Sequence, residues 1–138
     1  MLHRAIAHAN RLRPRFVLIS GDVVNKMGAT DERQLAALDR ALSRLDSTIP
    51  LVLQPGNHDL GQVPTVQSVG RFVSRHGDDY FSFWAGGVCF LSLNSQFYLP
   101  GGGERTGALR DGQREWLARE VAGPCARKAK HVVMLSHV

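Results

Sequence analysis

Hydrophobic positions along the chain alternate between a helical and an extended rhythm. Leu2, Ile6 and Ala9 recur on one helical face, and Pro14 ends that run. Residues 15–20 then form a short apolar stretch of the kind a buried strand needs. Thr30 or Asp31 can cap a second helix, whose Leu35, Leu38, Leu42 and Leu45 form a stripe of period 3.6. Residues 50–54 predict a second buried strand. Pro64 suits the first turn of a third helix with Val66, Val69, Phe72 and Val73 inward and Gly77 closing it. Strands are predicted at 80–84 and 88–93, joined by the hairpin-like turn Ala85-Gly86-Gly87. A fourth helix is expected over about 111–122. Its apolar face is Trp116, Leu117 and Val121, and Gly123-Pro124 stops it. Residues 131–136 predict a last buried strand. The long stretch between Asn94 and Asp111, with glycines at 101–103, reads as a mobile or functional loop.

This alternation predicts an α/β domain with helices packed outside sheets. The length, 138 residues, suits a single domain over 1–138. With 43% apolar and 21% charged residues the composition is that of a globular protein, and no stretch approaches the roughly 18–20 apolar residues of a membrane span. No membrane partner is therefore expected. Arg4, Arg11, Arg13 and Arg15, with no acidic residue before Gly21, resemble a mitochondrial presequence. An ordinary domain helix is the favoured reading, because the strand that follows needs a packed partner. The net charge of +5 is scattered. Its densest run, residues 127–130, lacks interleaved aromatics and reads as a solvated loop, so a nucleic-acid partner is not expected. A mildly positive surface does attract phosphorylated substrates. Cys89 and Cys125 share no CxxC spacing. Cys89 is expected as a buried thiol, and the pair predicts no disulfide framework, which fits a reducing, cytoplasmic setting.

The polar residues that interrupt this pattern carry the chemistry. The first strand runs into Ser20-Gly21-Asp22, the second into Pro55-Gly56-Asn57-His58-Asp59, and the last into Ser136-His137. Each delivers a ligand-type residue just past the carboxyl end of an apolar strand, which is the edge where open α/β sheets bind ligands. Asp22 offers a hard carboxylate, Asn57 a neutral carbonyl oxygen and His137 an imidazole nitrogen. Such a mixed oxygen and nitrogen set suits manganese, iron or zinc better than calcium. Gly21 and Gly56 allow the backbone to turn sharply and approach an ion.

Gly21-Asp22, Gly56-Asn57-His58-Asp59 and Ser136-His137 resemble three signature blocks of the calcineurin-like metallophosphoesterases. The resemblance extends through Leu51-Val52-Leu53, Pro64-Thr65, residues 77–84 and residues 93–98 to a subgroup described as serine/threonine protein phosphatases. It implies a β-sandwich flanked by helices in α/β/β/α layers. It implies two divalent metal ions (Mn, Fe or Zn) with Asp22 bridging them and Asn57 and His137 on the second. It also implies His58 touching the phosphate and protonating the leaving group, and Asp59 orienting His58 by accepting its ring N–H. The chemistry implied is attack by a hydroxide held between the metals on a phosphomonoester, with a phosphorylated protein or a small phosphoester as substrate. Asn94 and Gln96, just past a strand, are further candidates for the substrate cleft.

The family pattern also calls for an Asp-x-His block before the first helix and a Gly-His-x-His block after His137. The chain contains neither. The expectation is therefore an incomplete domain lacking the first strand and the C-terminal strands, with weak metal binding and slow turnover. A phosphodiesterase of the same superfamily and a catalytically inactive, partner-binding remnant are the alternatives. A purple acid phosphatase is disfavoured, because Asn25 stands where that group has a tyrosine.

Overall fold

The computed structural model describes residues 1–28, 30–101 and 103–137. The elements in order are α1 (Leu2–Leu12), β1 (Val17–Ser20), α2 (Glu32–Leu42), β2 (Leu51–Gln54), α3 (Asn57–Leu60), α4 (Val66–His76), β3 (Phe81–Ala85), β4 (Val88–Ser92), a 3-10 turn (Ser95–Tyr98), α5 (Gly103–Ala122), α6 (Pro124–Lys128) and β5 (His131–Leu135).

The strands form two small sheets. β1 and β2 are parallel, with Val17 opposite Leu51 and Ser20 opposite Gln54. In the second sheet the order is β3-β4-β5, with β3 and β4 antiparallel and β4 and β5 parallel. Gly86 and Gly87, both at positive φ (60° and 82°), make the two-residue β3–β4 turn, a backbone shape that disfavours any residue with a Cβ. The two sheets meet face to face. Phe16 packs edge-on against Phe83 and Phe90, with ring centroids 5.1 and 5.2 Å apart, and Phe83 stacks on Phe90 at 4.8 Å.

Helices cover the outer faces. α1 and α2 lie over β1 and β2, where Leu2, Ile6 and Leu42 face Val17, Ile19 and Leu51. α1 also donates from Asn10 to the Arg44 carbonyl at 2.7 Å and accepts from Asp46 N at 2.9 Å. It is thus a docked helix, as the domain-helix reading expects. Asp31, rather than Thr30, caps α2, accepting from the backbone N–H groups of Arg33 and Gln34. On the opposite side Cys89 and Leu91 of β4 pack against Cys125, Trp116 and Leu117 of α5 and α6. A further cluster of Leu60, Val69, Phe72 and Phe97 ties α3, α4 and the 3-10 turn together. These layers are the helix-flanked double sheet expected from the sequence.

Several expectations are corrected. α5 begins at Gly103, eight positions before the predicted start, so helix replaces much of the expected loop. Of the glycines at 101–103, Gly102 lies outside the described residues. Of the loop expected at 127–130, Arg127 and Lys128 are exposed but helical, in α6 (Pro124–Lys128), with Pro124 in the first turn where its missing N–H costs nothing. Leu45 lies beyond the end of α2. Val66, at the first position of α4, is 55% exposed, and Val121 faces solvent at the end of α5. Trp84 of β3 is also exposed. β5 is a strand but not a buried one. Val132, Val133 and Met134 are exposed, since β5 pairs only with β4 and stands at the edge of its sheet.

Cys89 and Cys125 are joined in a disulfide with Cα atoms 5.5 Å apart, correcting the expectation of free thiols. The partners lie 36 residues apart in sequence. Only the packing of α6 on β4 brings them together, which no spacing motif reveals.

Candidate metal centre

Three loops leave the carboxyl ends of β1, β2 and β5 on the same side of the molecule. After β1 the chain turns through Gly21 (φ 75°) and Asp22 (φ 52°). Left-handed backbone of this kind is uncommon outside glycine but tolerated by Asp. After β2, Gly56 comes so close to Asp22 that a Cβ there would lie 2.3 Å from Asp22 Oδ1 and 2.5 Å from its backbone nitrogen. A Cβ on Gly21 would meet His137 Nδ1 at 2.5 Å and Gly56 Cα at 2.9 Å. Both glycines are therefore required by contact, and the first also by its backbone conformation.

This packing brings three expected ligand residues together. His137 Nε2 lies 3.4 Å from Asp22 Oδ2 and 3.3 Å from Asn57 Oδ1. Asp22 Oδ1 accepts from the His58 backbone N–H at 3.0 Å, which leaves Oδ2 facing the site. His137 Nδ1 lies 2.7 Å from the Ser20 carbonyl oxygen. A carbonyl only accepts, so Nδ1 carries a proton and Nε2 faces two oxygens. Three electron-rich atoms facing one another call for positive charge between them, either a proton on Nε2 or a bound cation. The donor set of one carboxylate, one amide oxygen and one imidazole fits a divalent transition metal. Among the described residues, no group of three or more His, Cys, Asp or Glu side chains gathers to hold a metal. The set here has only two such residues, its third being the amide of Asn57.

His58 sits at the same edge. Its Nδ1 lies 2.5 Å from the Asn25 carbonyl oxygen, so Nδ1 donates, and Nε2 has no hydrogen-bond partner among the described residues. The Asn25 loop is held in turn by Gln34, whose Oε1 accepts from the backbone N–H groups of Asn25 (2.7 Å) and Lys26 (3.1 Å). Gln34 escaped the sequence reading because it looks like any polar residue on a helix.

Asp59 does not orient His58. Neighbouring helical residues point about 100° apart, so the two side chains diverge. The buried Asp59 carboxylate instead accepts from Gly56 N at 2.8 Å and from Val23 N at 3.1 Å, binding the β1 and β2 loops to each other. Burial pushes its carboxyl above the ordinary range, against the lowering effect of the Gly56 N–H, and the nearby Asp22 charge adds to the rise. Asn94 also stands apart from the edge. It is fully buried, donates to Asp79 Oδ2 at 2.8 Å and accepts from Gln96 N at 3.2 Å, so its side chain is engaged inside the protein and not in a cleft.

A double-layered α/β fold with Asp, Asn-His and His loops at one strand edge defines a metal-dependent phosphoesterase class. The chain belongs to the calcineurin-like phosphoesterase family, whose model matches residues 1–138. Over 142 aligned residues it is 40% identical to the serine/threonine-protein phosphatase CPPED1 of Bos taurus, 39% to that of Mus musculus and 38% to that of Homo sapiens. Each match covers 100% of this chain and 45% of the relative, so the chain spans about half the length of the curated relatives it matches. Among the described residues no helix is long and apolar enough to cross a membrane.

Proposed function

We propose that this chain carries half of a two-metal phosphoesterase site and serves phosphomonoester hydrolysis, with phosphoserine or phosphothreonine proteins as the substrate class. The observation that carries the reading is the approach of Asp22 Oδ2 and Asn57 Oδ1 to His137 Nε2, at 3.4 and 3.3 Å. These three residues would hold one divalent ion, and Asp22 would also reach a second. The substrate class follows from relatives that are named serine/threonine-protein phosphatases.

Divalent ions bound there would supply an activated water and positive charge against the phosphoryl oxygens. The protein's part is positional. The Gly21 and Gly56 turns bring the ligand loops into contact, and Asp59 ties those loops together. His58, held through Nδ1 by the Asn25 carbonyl, presents Nε2 to the substrate side. When protonated there, it donates to the leaving oxygen.

The chain has no Asp-x-His and no Gly-His-x-His, so the first ion retains only Asp22 from this sequence. Metal binding by the 138 residues is accordingly weak and turnover slow. Titration with Mn2+ in a calorimeter, beside p-nitrophenyl phosphate and bis(p-nitrophenyl) phosphate assays, tests this. The expected result is weak binding that Asp22→Ala and His137→Ala each abolish, with any hydrolysis favouring the monoester. Equal Mn2+ affinity in all three proteins would overturn the assignment, and a preference for the diester would move the substrate class.

A further inference from the structure

We propose that Gln96 is a positioning residue for His137, held in place by a buried polar relay that starts on α5. The proposal rests on the metal-site reading above for its purpose, but not for its geometry. His137 lies two residues beyond the last paired residue of β5, where the Leu135 carbonyl accepts from Leu93 N at 2.8 Å. Among the described residues no strand pairing holds it further out. Its backbone carbonyl is instead gripped from the 3-10 turn. Gln96 Nε2 donates to it at 3.2 Å, and Ser95 Oγ donates to the same oxygen.

The turn itself is pinned from behind. Gln113, in the middle of α5, accepts from Asn94 N at 2.7 Å and donates to the Asn94 carbonyl at 3.2 Å, which clamps that backbone from both sides. The Asn94 side chain caps the turn by accepting from Gln96 N, and its amide nitrogen is anchored on Asp79. Asn94, Gln96 and Gln113 are each no more than 1% exposed. Burying three amide side chains in one place costs stability unless every polar group is paired, and among the described residues the buried Gln96 Oε1 has no partner. Apolar residues would fill the same space without that demand. The relay therefore does something packing alone does not, and its outer end is a single atom, the His137 carbonyl oxygen. With that oxygen fixed and Nδ1 tied to Ser20, the imidazole has one orientation, and Nε2 faces Asp22 and Asn57.

The test uses the full chain with Gln96→Leu, which keeps the bulk and removes the donor, and Ser95→Ala, which removes the second donor at a position less critical for packing. The primary readout is the pair of His137 ring-nitrogen chemical shifts at fixed pH without metal, assigned through His137→Ala. The expected result is loss of the single Nδ1–H tautomer pattern in Gln96→Leu, a smaller change in Ser95→Ala, and unchanged His58 signals in both. Mn2+ affinity falls about tenfold in Gln96→Leu, as for other supports of metal-ligating groups. Wild-type His137 shifts in either folded variant overturn the positioning role. If the shifts move but the wild-type chain binds no Mn2+, the positioning stands and the metal reading fails. If Gln96→Leu does not fold, Ser95→Ala decides alone.

Discussion

The two ends of the strands are held together by opposite chemistry. Toward the amino ends of β1 and β4 the sheets meet through the half-buried rings of Phe16, Phe83 and Phe90, an aromatic contact that involves no hydrogen bond. At the carboxyl ends they meet through Ser20, Gln54 and Ser92. Gln54 Nε2 donates to Ser20 Oγ at 2.9 Å, and Ser92 Oγ donates to Gln54 Oε1 at 3.2 Å. Gln54 and Ser92 are fully buried. Just beyond this polar bridge lie the glycine and aspartate loops and the left-handed Asp22. The contrast teaches that stability and function are divided along the strand axis. The aromatic end supplies apolar ring packing, and the fully buried polar end supplies orientation in a place where unpaired groups would be costly.

The sharpest break in this division is Gly56→Ala. The added Cβ would meet the Asp22 carboxylate and backbone, so Asp22 must move out of the site. Mn2+ affinity is expected to fall by at least about tenfold, read by calorimetry. The ring packing of Phe16, Phe83 and Phe90, read from their aromatic proton shifts, stays unchanged. The converse break is Phe83→Ala, which empties the aromatic end. Phe83 is only partly buried, so the expected loss is about 2–3 kcal/mol in urea unfolding, below the range for a fully buried Phe. His58 and His137 signals of the folded protein stay in place.

The smallest effect concerns Asp79, which anchors the relay. Burial holds its carboxyl above the ordinary value of 3.8, partly offset by the hydrogen bond from Asn94, while Asp78 adds to the rise. The folded chain therefore keeps this proton more tightly than the unfolded chain. The resulting destabilisation is absent below pH 3.8, grows as pH rises toward the folded value and is complete above it. Asp79→Asn keeps an acceptor for Asn94 and removes the titration. The urea midpoint of wild type should fall relative to this variant as pH rises from 3.8 through the folded value. Parallel profiles would show that Asp79 has no part in the pH dependence.

Much of this was legible in the residues themselves. Strand and helix order followed from periodicity, and the convergence of Asp22, Asn57 and His137 followed from where apolar runs end. What was not legible depends on distance in sequence. The Gly56 contact with Asp22 crosses 34 positions, and the Cys89–Cys125 pair crosses 36. The hold of Gln113 on Asn94 spans 19, in a helix whose glycines at 107 and 112 disguised its early start. The resemblance pairs Asp59 with His58, but neighbours on a helix diverge, and Asp59 binds Gly56 N and Val23 N instead. β5 looked buried because its residues are apolar, whereas burial depends on what pairs beyond the strand.

The central claim is that the tips of β1, β2 and β5 share one cation. Substoichiometric Mn2+ added to the 15N-labelled chain tests it directly through paramagnetic broadening of amide signals. The account predicts that Gly21, Gly56 and His137 broaden together while Gly86 and Gly87, in the turn at the other end of β4, stay sharp, and that His137→Ala removes the effect. Broadening centred elsewhere, or unchanged in His137→Ala, would contradict it.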